Sequence, residues 1–261
     1  MSPLVAIVLA SLAGGVLAIV AAAGTLALRP ARIGRLVSFA VGALLGAVFL
    51  ELLPHALEHA APERVMITVL AGLLAFFLLE KLVLWRHSHG EAAAVPDSEA
   101  PAHAHVHAHD QGRSGLMILI GNSVHNVCDG IVIAAAFLAN TALGIATTLA
   151  IVAHAIPQQV GDFAVLLQSG YTRRRAFGFN VATGLATLVG GLAGYAALAA
   201  MQQVLPIVLA IAAASLLYVA VADLIPTLHR HPQPAETAKQ LVLIGLGIAV
   251  IAIVHATMEH G

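Results

Sequence analysis

The chain has 261 residues, of which 60% are hydrophobic and only 10% charged, and its mean hydropathy is +0.94. Soluble domains average about 45–50% apolar and about 25% charged residues, so a water-soluble globular protein is excluded and the chain reads as an integral membrane protein. A single cysteine excludes a disulfide framework or a cysteine-rich metal cluster, and the near-zero formal net charge of −1 carries no information on partners. No nucleic-acid partner is expected.

In chain order, the apolar stretches recur at a length of about 20 residues, which matches the roughly 30 Å hydrocarbon core, and they lack the alternation of a barrel strand. The N-terminal MSPLVAIVLASLAGG has no basic leader before its apolar run and reads as a first span, not a cleaved signal. Eight helical spans follow from this pattern, at about 4–28, 36–57, 65–85, 114–139, 144–169, 176–200, 206–228 and 240–258. The fold class is therefore an all-α integral membrane protein, an eight-transmembrane-helix bundle. Its organisation is spans 1 to 3 in residues 1–85, a loop in 86–113, and spans 4 to 8 in 114–261.

Basic residues orient the bundle. With the N-terminus outside, Arg29, Arg32, Arg35, Lys81, Arg86, Arg113, Arg173, Arg174, Arg175, Arg230 and Lys239 fall on the cytoplasmic side, and only Arg64 falls outside. That division uses all 12 Lys and Arg residues, 11 against 1. Cytoplasmic enrichment of Lys and Arg sets orientation, so both termini are expected to be extracytoplasmic and the 86–113 loop cytoplasmic. Gly42 with Gly46 and Gly190 with Gly194 have the four-residue spacing that lets helices approach closely.

Span 4 carries HNVCDG at 125–130. At 1.5 Å per residue His125 lies roughly 17 Å into the bilayer, near its midplane. An aspartate there costs about 2.5–3.5 kcal/mol on insertion scales, so Asp129 must face the bundle interior and meet a cation or a donor. His125 and Asp129 are four residues apart and share a helix face, with Asn126 at its border. Span 5 answers with HAIPQQVGDF from 154, where His154 and Gln158 form a second such pair at similar depth, beside the helix-bending Pro157. Spans joined by a short loop lie antiparallel, so His125, Asp129, His154 and Gln158 can converge on one cation. Interhelical hydrogen bonding is the bland alternative, at about 0.6 kcal/mol per contact, and two coincident His-based pairs weigh against it. Cys128 reads as packing.

These segments resemble the signature of the ZIP divalent-metal transporters, in the subfamily with HNxxDG in span 4 and HExPHExGD in span 5. VGALLGAVFLELLPHALE in span 2 and LLYVAVADLIP in span 7 are similar to family segments as well. The resemblance implies eight spans, both ends outside, and zinc import toward the cytoplasm through a site between spans 4 and 5, with iron, manganese or cadmium as cargo in some members. It also implies a homodimer in which a block of spans 1, 4, 5 and 6 moves against spans 2, 3, 7 and 8. The departures are specific: HExPHE is replaced by His154, Ala155, Ile156, Pro157, Gln158 and Gln159. Ala155 stands where the family has a ligand to a second metal and cannot coordinate, so a single-metal site is expected. Glu51 stands where the family often has histidine. As a fifth ligand it would bring Asp129 and a divalent ion to neutrality, which matters at low dielectric.

Imidazole with carboxylate suits Zn²⁺ and also Fe²⁺, Mn²⁺, Co²⁺ or Cd²⁺, so zinc is read as cargo and no prosthetic group is expected. The glutamine carbonyl of Gln158 is a weaker ligand than carboxylate and favours release. His55, Glu58 and His59 near the outer end of span 2, and Asp162 and Asp223 toward the cytoplasm, are candidate pathway residues. Glu80 is expected to pair with Lys81. The low-complexity cytoplasmic loop has His103, His105, His107 and His109 as candidate weak metal ligands, along with His87 and His89.

The reading is thus a divalent-metal importer, not an enzyme, whose partners are its cation, the lipid bilayer and a second copy of itself, in the inner membrane of a prokaryotic cell. The alternatives are a non-transporting intramembrane metal sensor and, more remotely, an intramembrane zinc hydrolase, for which neither HExxH nor a serine partner at the right depth is found. A cation-diffusion exporter would have six spans and a soluble C-terminal domain.

Overall fold

The computed structural model describes residues 2–25, 30–91, 113–229 and 233–259. Among them the chain is helical with no strand, in eight helices that overlie the eight predicted spans. They are α1 (Pro3–Thr25), α2 (Pro30–Gly46, continuing through Ala47–Leu52 and Leu53–His59), α3 (Pro62–Glu91) and α4 (Arg113–Ala139). After these come α5 (Thr141–Gln168), α6 (Arg173–Leu198), α7 (Leu205–Tyr218, continuing through Val219–Leu224 and Ile225–Leu228) and α8 (Pro234–Glu259). Seven helical segments are long and apolar enough to cross a membrane, and α1, at 23 residues, is about 34 Å long. The protein is a multi-pass integral membrane protein with an all-α bundle. Helix α3 runs to Glu91, past the predicted end of span 3 at 85. His103, His105, His107 and His109 lie outside the described residues.

The breaks between helices follow local chemistry. Asn140 adopts extended backbone and its side chain accepts from the Ala142 amide at 2.7 Å, capping α5 after a one-residue link from α4. Thr172 caps α6 in the same way through the Arg175 amide. At the end of α5, Gly170 has φ of 87°, a left-handed turn that glycine takes without a Cβ clash.

Helices α2 and α7 share a device. Each contains an acidic residue three positions before a proline, Glu51 before Pro54 and Asp223 before Pro226, inside a six-residue π-helical stretch. Proline has no amide to give an α-type ladder, and the wider turn takes up the register shift, with the amides of Leu53 and Ile225 bonding the carbonyls of Val48 and Ala220, five residues back. Both acidic residues are therefore re-aimed relative to the helix below them.

The closest helix pairs fall in two bodies, α1 with α4, α5 and α6, and α2 with α3, α7 and α8, and α2 also packs extensively along α5 across them. Helix α4 lies along α6, and α1 packs against α5 and α6; α2 lies along α8, and α3 along α7. Glycines allow the closest approaches inside each body: a Cβ at Gly130 would collide with the Thr187 carbonyl of α6, and one at Gly42 with the Ile244 carbonyl of α8. Both predicted glycine pairs lie at such seams, with Gly46 facing Ile248 and Ile251, and Gly190 and Gly194 facing Val127 and Ile131. Between the bodies, α2 and α8 reach α5, and α4 reaches α7, through a core that includes Val41, Leu44, Val48, Ile133, Ile151 and Leu209. Polar cross-links run within bodies. Gln159 donates to Thr183 at 3.4 Å, Asn180 to the Gln159 carbonyl at 3.0 Å and Thr187 to Asn126 at 3.5 Å, while Gln240 of α8 donates to the Leu228 carbonyl of α7 at 3.2 Å. Glu80 of α3 accepts from the Tyr218 hydroxyl of α7, so its partner is that tyrosine and not the neighbouring Lys81.

Candidate metal site

Helices α4 and α5 are consecutive and antiparallel, and they place His125, Asp129 and His154 together, with ligand atoms all within 4.8 Å of one another. Asp129 and His154 are each 1% exposed. Asp129 Oδ2 lies 3.5 Å from His125 Nε2 and 3.4 Å from His154 Nε2, and the two Nε2 atoms are 3.3 Å apart. Neither carboxylate oxygen of Asp129 has a hydrogen-bond partner among the described residues. His154 Nδ1 lies 3.3 Å from the Ala150 carbonyl one turn back. A carbonyl accepts only, so the ring proton belongs on Nδ1 and the Nε2 lone pair is directed at Asp129 and His125.

The dimensions match a specific coordination chemistry. Tetrahedral zinc binds nitrogen and oxygen at about 2.0–2.2 Å, which puts neighbouring ligand atoms about 3.3–3.6 Å apart. The three edges of the His125–Asp129–His154 triangle have that length. A buried carboxylate without hydrogen bonds is costly, and a divalent cation at the triangle's apex would supply the missing charge.

The remaining predicted ligands are placed elsewhere. Gln158, one turn beyond His154, donates its amide to Asn122 Oδ1 at 2.6 Å, and Asn122 in turn donates to Asp162. These three make a polar layer next to the triangle on its cytoplasmic side in the orientation read from the basic residues. Asn122 was missed by sequence reasoning although its spacing showed it: Asn122, His125 and Asp129 fall at i, i+3 and i+7 on one face of α4. Asn126 points away, toward α6, where it accepts from Thr187 and lines a small cavity with Ala155, Gln159 and Gly184. This cavity contains no ionisable side chain. Glu51, 5% exposed, is not in the triangle; its Oε1 lies 3.2 Å from His255 Nδ1 of α8. His255 had no local signal in the sequence. His55, Glu58 and His59 cluster at the end of α2, with the His55 and His59 rings stacked at 4.4 Å. Asp223 is exposed on α7, outside both clusters.

Comparison with known proteins bears on this geometry. The family model described as ZIP zinc transporter matches residues 2–113 and 86–255. The chain is similar to zinc transporter ZIP13 of Pongo abelii, 32% identical over 236 residues that cover 84% of this chain and 66% of that protein. It is also similar to zinc transporter ZIP13 of Homo sapiens, 31% identical over 85% of this chain and 70% of that one. With the zinc transporter ZIP13 homolog of Drosophila melanogaster the identity is 30%, over 86% and 78%. The chain thus spans about two thirds to four fifths of the length of these relatives. Members of this family are transporters and not enzymes. On the match of the family model along nearly the whole sequence, the chain belongs to the ZIP zinc transporter family.

Proposed function

We propose that the chain carries a divalent cation, zinc first, across its membrane toward the cytoplasm, through a single-metal site between α4 and α5. The observation that carries this reading is the triangle of Asp129, His125 and His154, whose edges of 3.3–3.5 Å suit a tetrahedral ion. The fourth position is open to Gln158 after a side-chain rotation, or to water. Stoichiometry follows from the neighbouring cavity: Asn126, Ala155, Gln159 and Thr187 present neutral groups there, too little charge to hold a second divalent ion. Asn122, Gln158 and Asp162 then receive the ion on its way to the cytoplasm. Weak neutral ligands such as Asn122 and Gln158 along that route favour unloading.

The division into two bodies supports a rigid-body movement of α1, α4, α5 and α6 past α2, α3, α7 and α8, since the hydrogen bonds described between helices lie within one body or the other. Apolar side-chain contacts slide at lower cost than hydrogen bonds in a lipid-like medium, where a broken bond finds no water. Homodimer formation is carried over from the family resemblance, and the outward apolar residues of α3 and α8 offer surface to lipid or to a second copy. The relatives compared are animal proteins, so the prokaryotic inner membrane rests on the sequence reading alone.

Uptake of Zn²⁺, Fe²⁺, Mn²⁺ and Cd²⁺ into proteoliposomes tests the proposal, with wild type beside His125→Ala and Asp129→Ala. Uptake by wild type that vanishes in both variants, at equal reconstitution, is the expected result. No uptake of any ion by folded wild type overturns transport and leaves a metal-sensing role for the same ligands.

A further inference from the structure

The central triangle does not use every metal-ligating group that the fold brings together. At the end of α2, His55, Glu58 and His59 fall at i, i+3 and i+4 on one helix face, and their ligand atoms all lie within 4.8 Å of one another. His55 is half-buried, and Glu58 and His59 are exposed. In the orientation read from the basic residues, this end of α2 is on the outer face, opposite the Asn122–Asp162 layer.

Three features of the cluster suit a cation. The His59 ring is oriented by its own helix, with Nδ1 2.9 Å from the His55 carbonyl. A carbonyl only accepts, so the proton sits on Nδ1 and Nε2 keeps its lone pair, the same device that fixes the tautomer of metal-binding imidazoles. The His55 and His59 rings stack with centroids 4.4 Å apart and planes 25° from parallel, which holds the two imidazoles side by side. The helix also ends here, where Ala60 takes extended backbone. Carbonyls of a last helical turn lack amide partners, and the negative end of the helix dipole favours a positive charge beside them.

We propose that His55, Glu58 and His59 form a surface site for a divalent transition-metal cation. One carboxylate and two imidazoles are also the donor set of His125, Asp129 and His154, so the two clusters favour the same ions. Nitrogen donors select zinc and its neighbours over calcium and magnesium, which take oxygen ligands. The clusters differ in strength. Asp129 and His154 are each 1% exposed, whereas Glu58 and His59 face solvent, where water screens their charge and competes for the ion. The outer site therefore binds more weakly and exchanges faster. His55 and Glu58 also line a pocket of about 60 Å³, which is space for waters that complete the coordination. Glu63 and Arg64, which follow at the start of α3, offset one another in charge.

All three ligands belong to α2, so the site needs no particular position of α4 and α5 and can load while the centre is occupied. That role as a supply rests on the transport proposed above; the binding itself does not.

Site-resolved protection on the full-length chain in nanodiscs tests the binding. Diethyl pyrocarbonate acylates a free imidazole nitrogen, zinc on that nitrogen blocks it, and mass spectrometry reads His55 and His59 apart from the loop histidines. Zn²⁺ is expected to slow modification of both several-fold, in wild type and in Asp129→Asn alike, and Ca²⁺ or Mg²⁺ at the same concentration to leave it unchanged. Glu58 is exposed, so Glu58→Gln leaves packing undisturbed, and it is expected to raise the zinc needed for half-protection about tenfold or more. Equal modification with and without zinc overturns the site, as does protection that Glu58→Gln leaves unchanged. Glu58→Gln is also expected to raise the apparent KM of zinc uptake several-fold, with a smaller effect on the maximal rate; an unchanged KM overturns the supply role. Protection in a wild type that takes up no ion keeps the site and overturns transport.

Discussion

Asp129 of α4 and His154 of α5 face each other across 3.4 Å, both 1% exposed, and among the described residues neither oxygen of the aspartate has a hydrogen bond. A pair held only by structural need would be expected to show a direct, well-aligned hydrogen bond. On the function proposed above, a gap shaped for a cation would account for its absence. Replacement of Asp129 by Asn keeps the shape and removes the charge, so zinc binding at the centre is expected to fall at least about 100-fold while the thermal midpoint holds or rises. His154→Gln is expected to cost less, about tenfold or more, since a neutral ligand replaces a neutral ligand. Equilibrium binding and thermal melts on the same samples check both.

Gln158 replaces a histidine of the family signature and is tied to Asn122 at 2.6 Å. Gln158→His restores a stronger donor one turn from His154. Apparent KM for zinc is expected to drop about tenfold, and the maximal rate to fall with it, because the ion leaves more slowly. A rate that rises with affinity would contradict the role given to weak ligands.

The cavity behind the site offers Asn126, Ala155, Gln159 and Thr187. Ala155→Glu combined with Gln159→Glu adds two carboxylates to it. Bound zinc is expected to increase by one ion per chain, read by elemental analysis after gel filtration. An unchanged count would remove the argument that missing charge is what limits the site to one metal.

Close helix contact gives a stability prediction. At Gly130 a methyl group would strike the Thr187 carbonyl, whereas at Gly121, on the same helix, a Cβ would have open space. Gly130→Ala is expected to destabilise the chain by about 2 kcal/mol or more, by forcing α4 off α6. Gly121→Ala is expected to be neutral or to gain up to about 1 kcal/mol from helix propensity. Melting midpoints of the purified pair decide it.

Much of this molecule is determined by sequence alone. Apolar runs of about 20 residues specify membrane helices because backbone polar groups must be satisfied inside the segment, and charge asymmetry specifies an orientation. The meeting of His125, Asp129 and His154 was legible too, since polar residues four apart inside lipid declare a shared interior face. Rotation of each helix was not. In a bilayer the outward and inward faces are both apolar, so no hydrophobic stripe says which way Glu51 turns. Glycine contacts and the π-helical stretches set those rotations, sending Glu51 to His255 of α8 and Gln158 to Asn122. Sequence thus determined which segments form membrane-spanning helices, because hydration cost is a local property. Only tertiary packing decided which of them meet, because contact across helices depends on the close approach of segments as much as two hundred residues apart.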